Sequence, residues 1–169
     1  MIRNKQRFRH FCLLIFAFCF LISGVAYAAD RSVLVLQFPP EIKVPLTLFR
    51  TGVLDKIDGE AEIRREFKHE KTTKVSVTIK NVPAPSSVKP EYTTYVVWAV
   101  DEKGGFTKFG ATMKDVKLDT PLIAFGIVVS LEADANVAKP AGPFVLESQF
   151  PDKKNSFFGM TRVVYSRSQ

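Results

Sequence analysis

The chain predicts an all-β fold: a single antiparallel β-sandwich, Ig-like in the broad sense, behind an N-terminal signal peptide. Three observations predict it. The dominant hydrophobic period past residue 30 is two, not 3.6. Eight to ten short runs of that period are separated by Pro, Gly, Asp and Asn, the spacing of a sandwich or barrel. No stretch of ten or more residues outside the first 28 shows an amphipathic helical pattern.

The signal comes first in the chain. Residues 1–10 carry Arg3, Lys5, Arg7 and Arg9 and no acid, residues 11–25 are almost wholly apolar, and Ala26-Tyr27-Ala28 follows. A basic region, a short apolar run and a small-x-small site make a secretory signal. The run is below the roughly 20 residues of a spanning helix. Cleavage read from Ala26 and Ala28 leaves Ala29 as the mature N-terminus. The membrane enters only if the signal stays uncleaved as an anchor. Lipoprotein processing is disfavoured, since Phe16-Ala17-Phe18 precedes Cys19. The expected divisions are a signal over 1–28, a β-domain over 29–165 and a tail over 166–169.

Removing the signal leaves 141 residues, enough for one domain with a real core. It leaves 20 basic against 17 acidic residues, so the formal charge of +7 falls to +3. A nucleic-acid binder needs a concentrated basic face, so nucleic acid is not an expected partner. Cys12 and Cys19 both lie in the signal, and His69 is the one histidine beyond it. Cys-His zinc sites, Cys nucleophiles and disulfides are therefore excluded by count. No cofactor and no metal are expected.

Each strand is read in turn. Residues 33–38 form an apolar run stopped by Pro39-Pro40. Residues 46–54 make a second strand, with a bulge or bend at Gly52. Asp58-Gly59 reads as a turn. Residues 60–68 then alternate, with Ala61, Ile63 and Phe67 inward, Glu60, Glu62, Arg64, Glu66 and Lys68 outward, and Arg65 interrupting the apolar face. Residues 74–82 alternate more cleanly, with Val75, Val77 and Ile79 inward, as in a half-solvated antiparallel strand. Pro83 to Ser87 is a loop.

Over residues 92–101 both faces are apolar: Val96, Trp98 and Val100 on one, Tyr95, Val97 and Ala99 on the other. This strand is therefore central. Gly104-Gly105 turns it into residues 106–113, and a short strand follows at 116–118. Residues 122–131 form the second core strand, with Ile123, Phe125, Ile127, Val129 and Leu131 as one apolar face. Trp98, Phe125, Ile127 and Val129 are the expected core. After the turn at 139–143, residues 144–148 form a strand, and 157–165 add an edge strand. The strands are too short and uneven for the lipid-facing bands of an outer-membrane barrel.

The block Tyr95-Val96-Val97-Trp98-Ala99-Val100-Asp101, followed by Gly104-Gly105 and Gly110, resembles the extracytoplasmic domain of bacterial anti-sigma-K factors. Val129-Ser130-Leu131-Glu132 and Pro140-Ala141-Gly142-Pro143 are similar to two further elements of that family. Similar patterns occur in secreted bacterial domains that precede a peptidoglycan-binding region. The resemblance spans about residues 70–148. It implies an envelope β-sandwich. With nine residues ahead of His10, a stand-alone domain is expected rather than an anti-sigma factor.

Candidate chemistry is sparse. Glu60, Glu62 and Glu66 share a face but interleave with Arg64 and Lys68, which reads as a solvated mixed-charge face rather than a glycan-hydrolase pair. His69 stands among charges with no Ser elbow. Asp55, Asp58 and Glu60 around Gly59 lack the alternate-position ligands and closing Glu of an EF-hand. Tyr92, Tyr95 and Trp98 are candidates for a sugar-stacking platform, with Tyr95 the one set apart on the other strand face. Phe157 and Phe158 are candidate docking residues. The candidate contact residues are thus Tyr95, Phe157 and Phe158. The expected function is a non-enzymatic exported protein of the periplasm or envelope that binds or scaffolds another envelope protein or the cell wall. A carbohydrate-binding module is the alternative, and a glycan hydrolase the third.

Overall fold

A computed structural model describes residues 31–66, 72–149 and 160–165, the last six and Arg31 by backbone alone. Ala26 and Ala28, the expected cleavage residues, together with Phe67, His69, Phe157, Phe158 and residues 166–169, lie outside the described residues.

The described residues form ten strands: β1 (Arg31–Gln37), β2 (Lys43–Arg50), β3 (Asp58–Arg65), β4 (Thr73–Lys80), β5 (Thr94–Val100), β6 (Phe106–Thr112), β7 (Asp115–Thr120), β8 (Ala124–Glu132), β9 (Phe144–Ser148) and β10 (Met160–Tyr165). One 3-10 turn, Pro85–Ser87, sits in the β4–β5 loop. All strand pairs are antiparallel. The sheet runs β10-β1-β8-β9-β2-β3-β4-β7, and β5 joins β8 to β6. β6 and β7 are consecutive in the chain but do not pair, so they bound the seam of a sheet nearly closed into a barrel. Residues 31–165 form one compact unit.

Local sequence explains the register. In β3 and β4, Ala61 lies opposite Val77 and Ile63 opposite Val75, all buried; Glu62 lies opposite Ser76 and Arg64 opposite Lys74, on the water side. A one-residue slip would invert both sets, so the pattern fixes the pairing. β5 and β8 are buried on both faces and pair along Thr94↔Glu132 to Val100↔Gly126. Each fully buried Val, Leu, Ile or Phe contributes about 1.5–3 kcal/mol, which makes this pair the centre of stability.

The two faces of that pair serve different clusters. Tyr95, Val97 and Ala99 join Phe125, Ile127, Val129 and Leu131 in the main core, where Phe125 meets Phe38 at 4.7 Å and Phe109 edge-on at 5.3 Å between ring centroids. Trp98, Val96, Val100 and Val128 form a second cluster on the opposite face, with Val33, Val35 and Phe144. Trp98 is buried as expected, but it does not share a core with Phe125, Ile127 and Val129. Period two assigns residues to two faces; where both are apolar it cannot say which faces meet.

β1, β8 and β9 branch at one point. The Ser148 hydroxyl accepts from the Ile127 N–H (3.0 Å) and donates to the Leu34 carbonyl (2.9 Å), satisfying groups where three strands diverge. Gly126 sits in this junction, and a Cβ there would run into the Leu34 carbonyl. Three expectations are corrected. Ile123 precedes β8 and is 40% exposed, because the chain enters that strand only at Ala124. Asp58-Gly59 opens β3 instead of turning, with Leu48 and Leu146 closed over Gly59. The strand expected over 46–54 ends at Arg50, and the bend expected at Gly52 (φ 90°) lies just beyond it.

Candidate functional site

The segments that carry the family resemblance converge on one buried network. The Trp98 Nε1–H donates to Ser130 Oγ at 2.8 Å, and the Ser130 hydroxyl donates to Glu132 Oε1 at 2.6 Å. Glu132 is 1% exposed. Its carboxylate also accepts the Ala141 N–H (3.0 Å to Oε1) and the Gly142 N–H (2.9 Å to Oε2). Four donors thus converge on two strand residues, and the 139–143 turn is fastened to the end of β8 by a charge-assisted clamp. Asp101 does similar work at the β5–β6 turn, where Oδ1 accepts from the N–H groups of Lys103 and Gly105, both at 2.8 Å. Periodicity ends the strand at Leu131, one residue short of the observed Glu132, and gives no sign that its carboxylate is interior.

Tyr95 is corrected as a contact residue. It is fully buried in the main core, and its hydroxyl donates to the Pro83 carbonyl at 2.9 Å. Trp98 is equally buried and Tyr92 half-buried, so these three do not form an exposed stacking platform. Burial pushes the Tyr95 phenol up to about 12 from its ordinary 10. The native state therefore holds the phenol proton that the unfolded chain releases. This contribution to stability is intact below pH 10 and is lost as pH rises from 10 towards about 12. Alkaline titration of the four tyrosines is expected to leave one phenol protonated beyond the others. Tyr95→Phe is expected to lose about 1 kcal/mol at neutral pH and to flatten the alkaline fall. An unchanged alkaline fall in that variant would contradict the assignment.

The carboxylates proposed for acid–base or metal work are committed elsewhere. Glu60 pairs with Lys80 and Glu62 with Lys43, both at 2.9 Å on an open face. Arg50 donates to the Ile57 carbonyl (2.8 Å) and the Asp58 carboxylate (2.6 Å), and Asn81 donates to the second Asp58 oxygen (2.7 Å). Those hydrogen bonds hold the Asp58 carboxyl below its ordinary range, Arg50 first and Asn81 second. The clamp is therefore complete at neutral pH and loosens on acidification. Among the described residues, no group of three His, Cys, Asp or Glu is placed to hold a metal ion. No helix among them is long and apolar enough to cross a membrane.

What the fold does present is a concavity of about 620 Å³ on the side of β2, β3, β4 and β7. Lys43, Arg64, Lys74 and Lys117 line it with Glu62, Glu66 and Asp119, around the half-buried Ser76. Lys74 reaches Glu66 at 3.1 Å, and Arg64 reaches Glu41 at 3.9 Å. The alternation in β3 and β4 dictates the charged side. Its union with Lys43 and β7 follows from strand order, which no local pattern encodes. No protein-family model, curated protein or solved structure matches this chain.

Proposed function

We propose that this chain is an exported, non-enzymatic envelope protein whose β-domain binds or scaffolds another envelope protein or a cell-wall component. The observation that carries the reading is the open mixed-charge concavity over β2, β3, β4 and β7. A sheet face that sets Ser76 among side chains of both charge signs suits a polypeptide or amino-acid-bearing wall polymer. The signal-like first 28 residues support export. The likeness to anti-sigma-K extracytoplasmic domains supports the same compartment, and its Trp98, Ser130, Glu132 and Gly142 positions support a shared scaffold. In this reading the domain is a sandwich in the broad sense, β5 and β8 facing β3 and β4 across the main core.

The test is photo-crosslinking in the living cell. A crosslinker at Arg64 or Lys74 is expected to give a discrete envelope adduct, and one at Lys103 in the β5–β6 turn is not. N-terminal sequencing of the same material is expected to begin at Ala29. Adducts of equal yield at all three positions, or a cytoplasmic protein that begins at Met1, would contradict the reading.

A further inference from the structure

β7 ends its side of the sheet, and its chemistry is self-complementary. The Ile79 N–H donates to the Lys114 carbonyl at 2.7 Å, in the same register that pairs Thr73 with Thr120. Hydrogen-bonded and non-hydrogen-bonded pairs alternate along an antiparallel ladder. Val116, Leu118 and Thr120 therefore direct their backbone groups at β4, whereas Asp115, Lys117 and Asp119 direct theirs at the open side. β6 comes up to Val116 through Gly110 and bonds to β5 instead of β7. Among the described residues the stretch from Lys117 to Asp119 is left as an unpaired edge. Lys117 and Asp119 are exposed, and among the described residues neither makes an ion pair. Leu118 between them is half-buried.

We propose that this edge pairs antiparallel with the same edge of a second copy of the chain, about a two-fold axis at Leu118. In that register Lys117 faces the partner's Asp119 and Asp119 faces the partner's Lys117. Both are hydrogen-bonded pairs, so the outward N–H and C=O groups of the two residues are satisfied together with their charges. Leu118 meets the partner's Leu118 at the close, non-hydrogen-bonded position. Charge rejects the register two-fold about Lys117, which sets lysine against lysine and Asp115 against the partner's Asp119. The register centred on Val116 is charge-compatible, but β6 lies there. Pro121, without an N–H, ends the edge beyond Thr120. The contact is isologous and closes on itself as a dimer. It would join the two β2-β3-β4-β7 sheets into one continuous surface.

Sedimentation velocity on the exported protein over a concentration series tests this. A reversible dimer is expected, weakening as salt rises because both ion pairs are exposed. Lys117→Asp should leave a monomer with near wild-type melting, since Lys117 lies opposite Ser76; Asp119→Lys should also leave a monomer, melting slightly lower because Lys74 lies opposite it. The double variant Lys117→Asp/Asp119→Lys restores opposite charges across the axis and should restore the dimer. A wild-type protein monomeric throughout, a dimer that survives Lys117→Asp, or a double variant that stays monomeric would each overturn the proposal.

Discussion

Gly142→Ala is expected to leave the protein largely unable to reach its native fold. A Cβ at Gly142 would fall on the Leu131 carbonyl oxygen and within 2.7 Å of its carbon. Both are backbone atoms of β8, the central strand, and cannot swing aside as a side-chain tip does. The Leu131 N–H is also engaged, donating to the Pro143 carbonyl at 2.9 Å. To make room, the turn must lift from β8 and abandon that bond together with the Ala141 and Gly142 bonds to Glu132. Overpacking a tight site usually destabilises by about 1–3 kcal/mol; loss of the attached hydrogen bonds raises this to about 4 kcal/mol or more. Far-ultraviolet circular dichroism and urea unfolding are the checks. An unchanged melting temperature would mean that the turn does not lie against β8.

Glu132→Ala is expected to lower stability by about 3–5 kcal/mol, since each of three donors that loses its acceptor costs about 1–3 kcal/mol when buried. The substitution strips the acceptor from the Ser130 hydroxyl and from the Ala141 and Gly142 N–H groups, and it leaves Trp98 bonded to a hydroxyl that has lost its own orientation. Glu132→Gln keeps the shape and one acceptor oxygen but turns an amide N–H₂ towards backbone donors, so an intermediate loss of about 1–2 kcal/mol is expected. Urea midpoints in the order wild type, Gln, Ala are the predicted result. Wild-type stability in the Ala variant would contradict a structural carboxylate.

Both predictions concern residues that looked like family signature in the sequence and prove to be framework. The strands themselves were legible. Alternation in residues 60–65 and 74–80 fixed which side chains meet the core, and the doubly apolar run at 95–100 and the single unbroken apolar face at 123–131 marked the two core strands. Punctuation was less informative. Asp58-Gly59 has the composition of a turn, but Gly59 is there because Leu48 and Leu146 need its space. Ile123 looked continuous with the apolar face of β8, but the strand starts one residue later. Tyr95 and Trp98 lie on opposite faces of β5, as their spacing requires; that both faces are covered depends on strands more than twenty residues away. The charged concavity was half-visible as the polar side of β3 and β4. Lys43, Lys117 and Asp119 reach it only through the strand order β2-β3-β4-β7.

The Trp98-Ser130-Glu132-Gly142 block is interior framework, and the proposed recognition surface is the charged side of the sheet. The chain has one tryptophan, so its fluorescence reports on Trp98 alone. Acrylamide quenching of the native protein is the direct measurement. A blue-shifted emission that resists acrylamide, and becomes water-like and quenchable only on unfolding in urea, is the predicted result. A red-shifted, freely quenched emission from the native protein would place Trp98 in solvent and contradict the account.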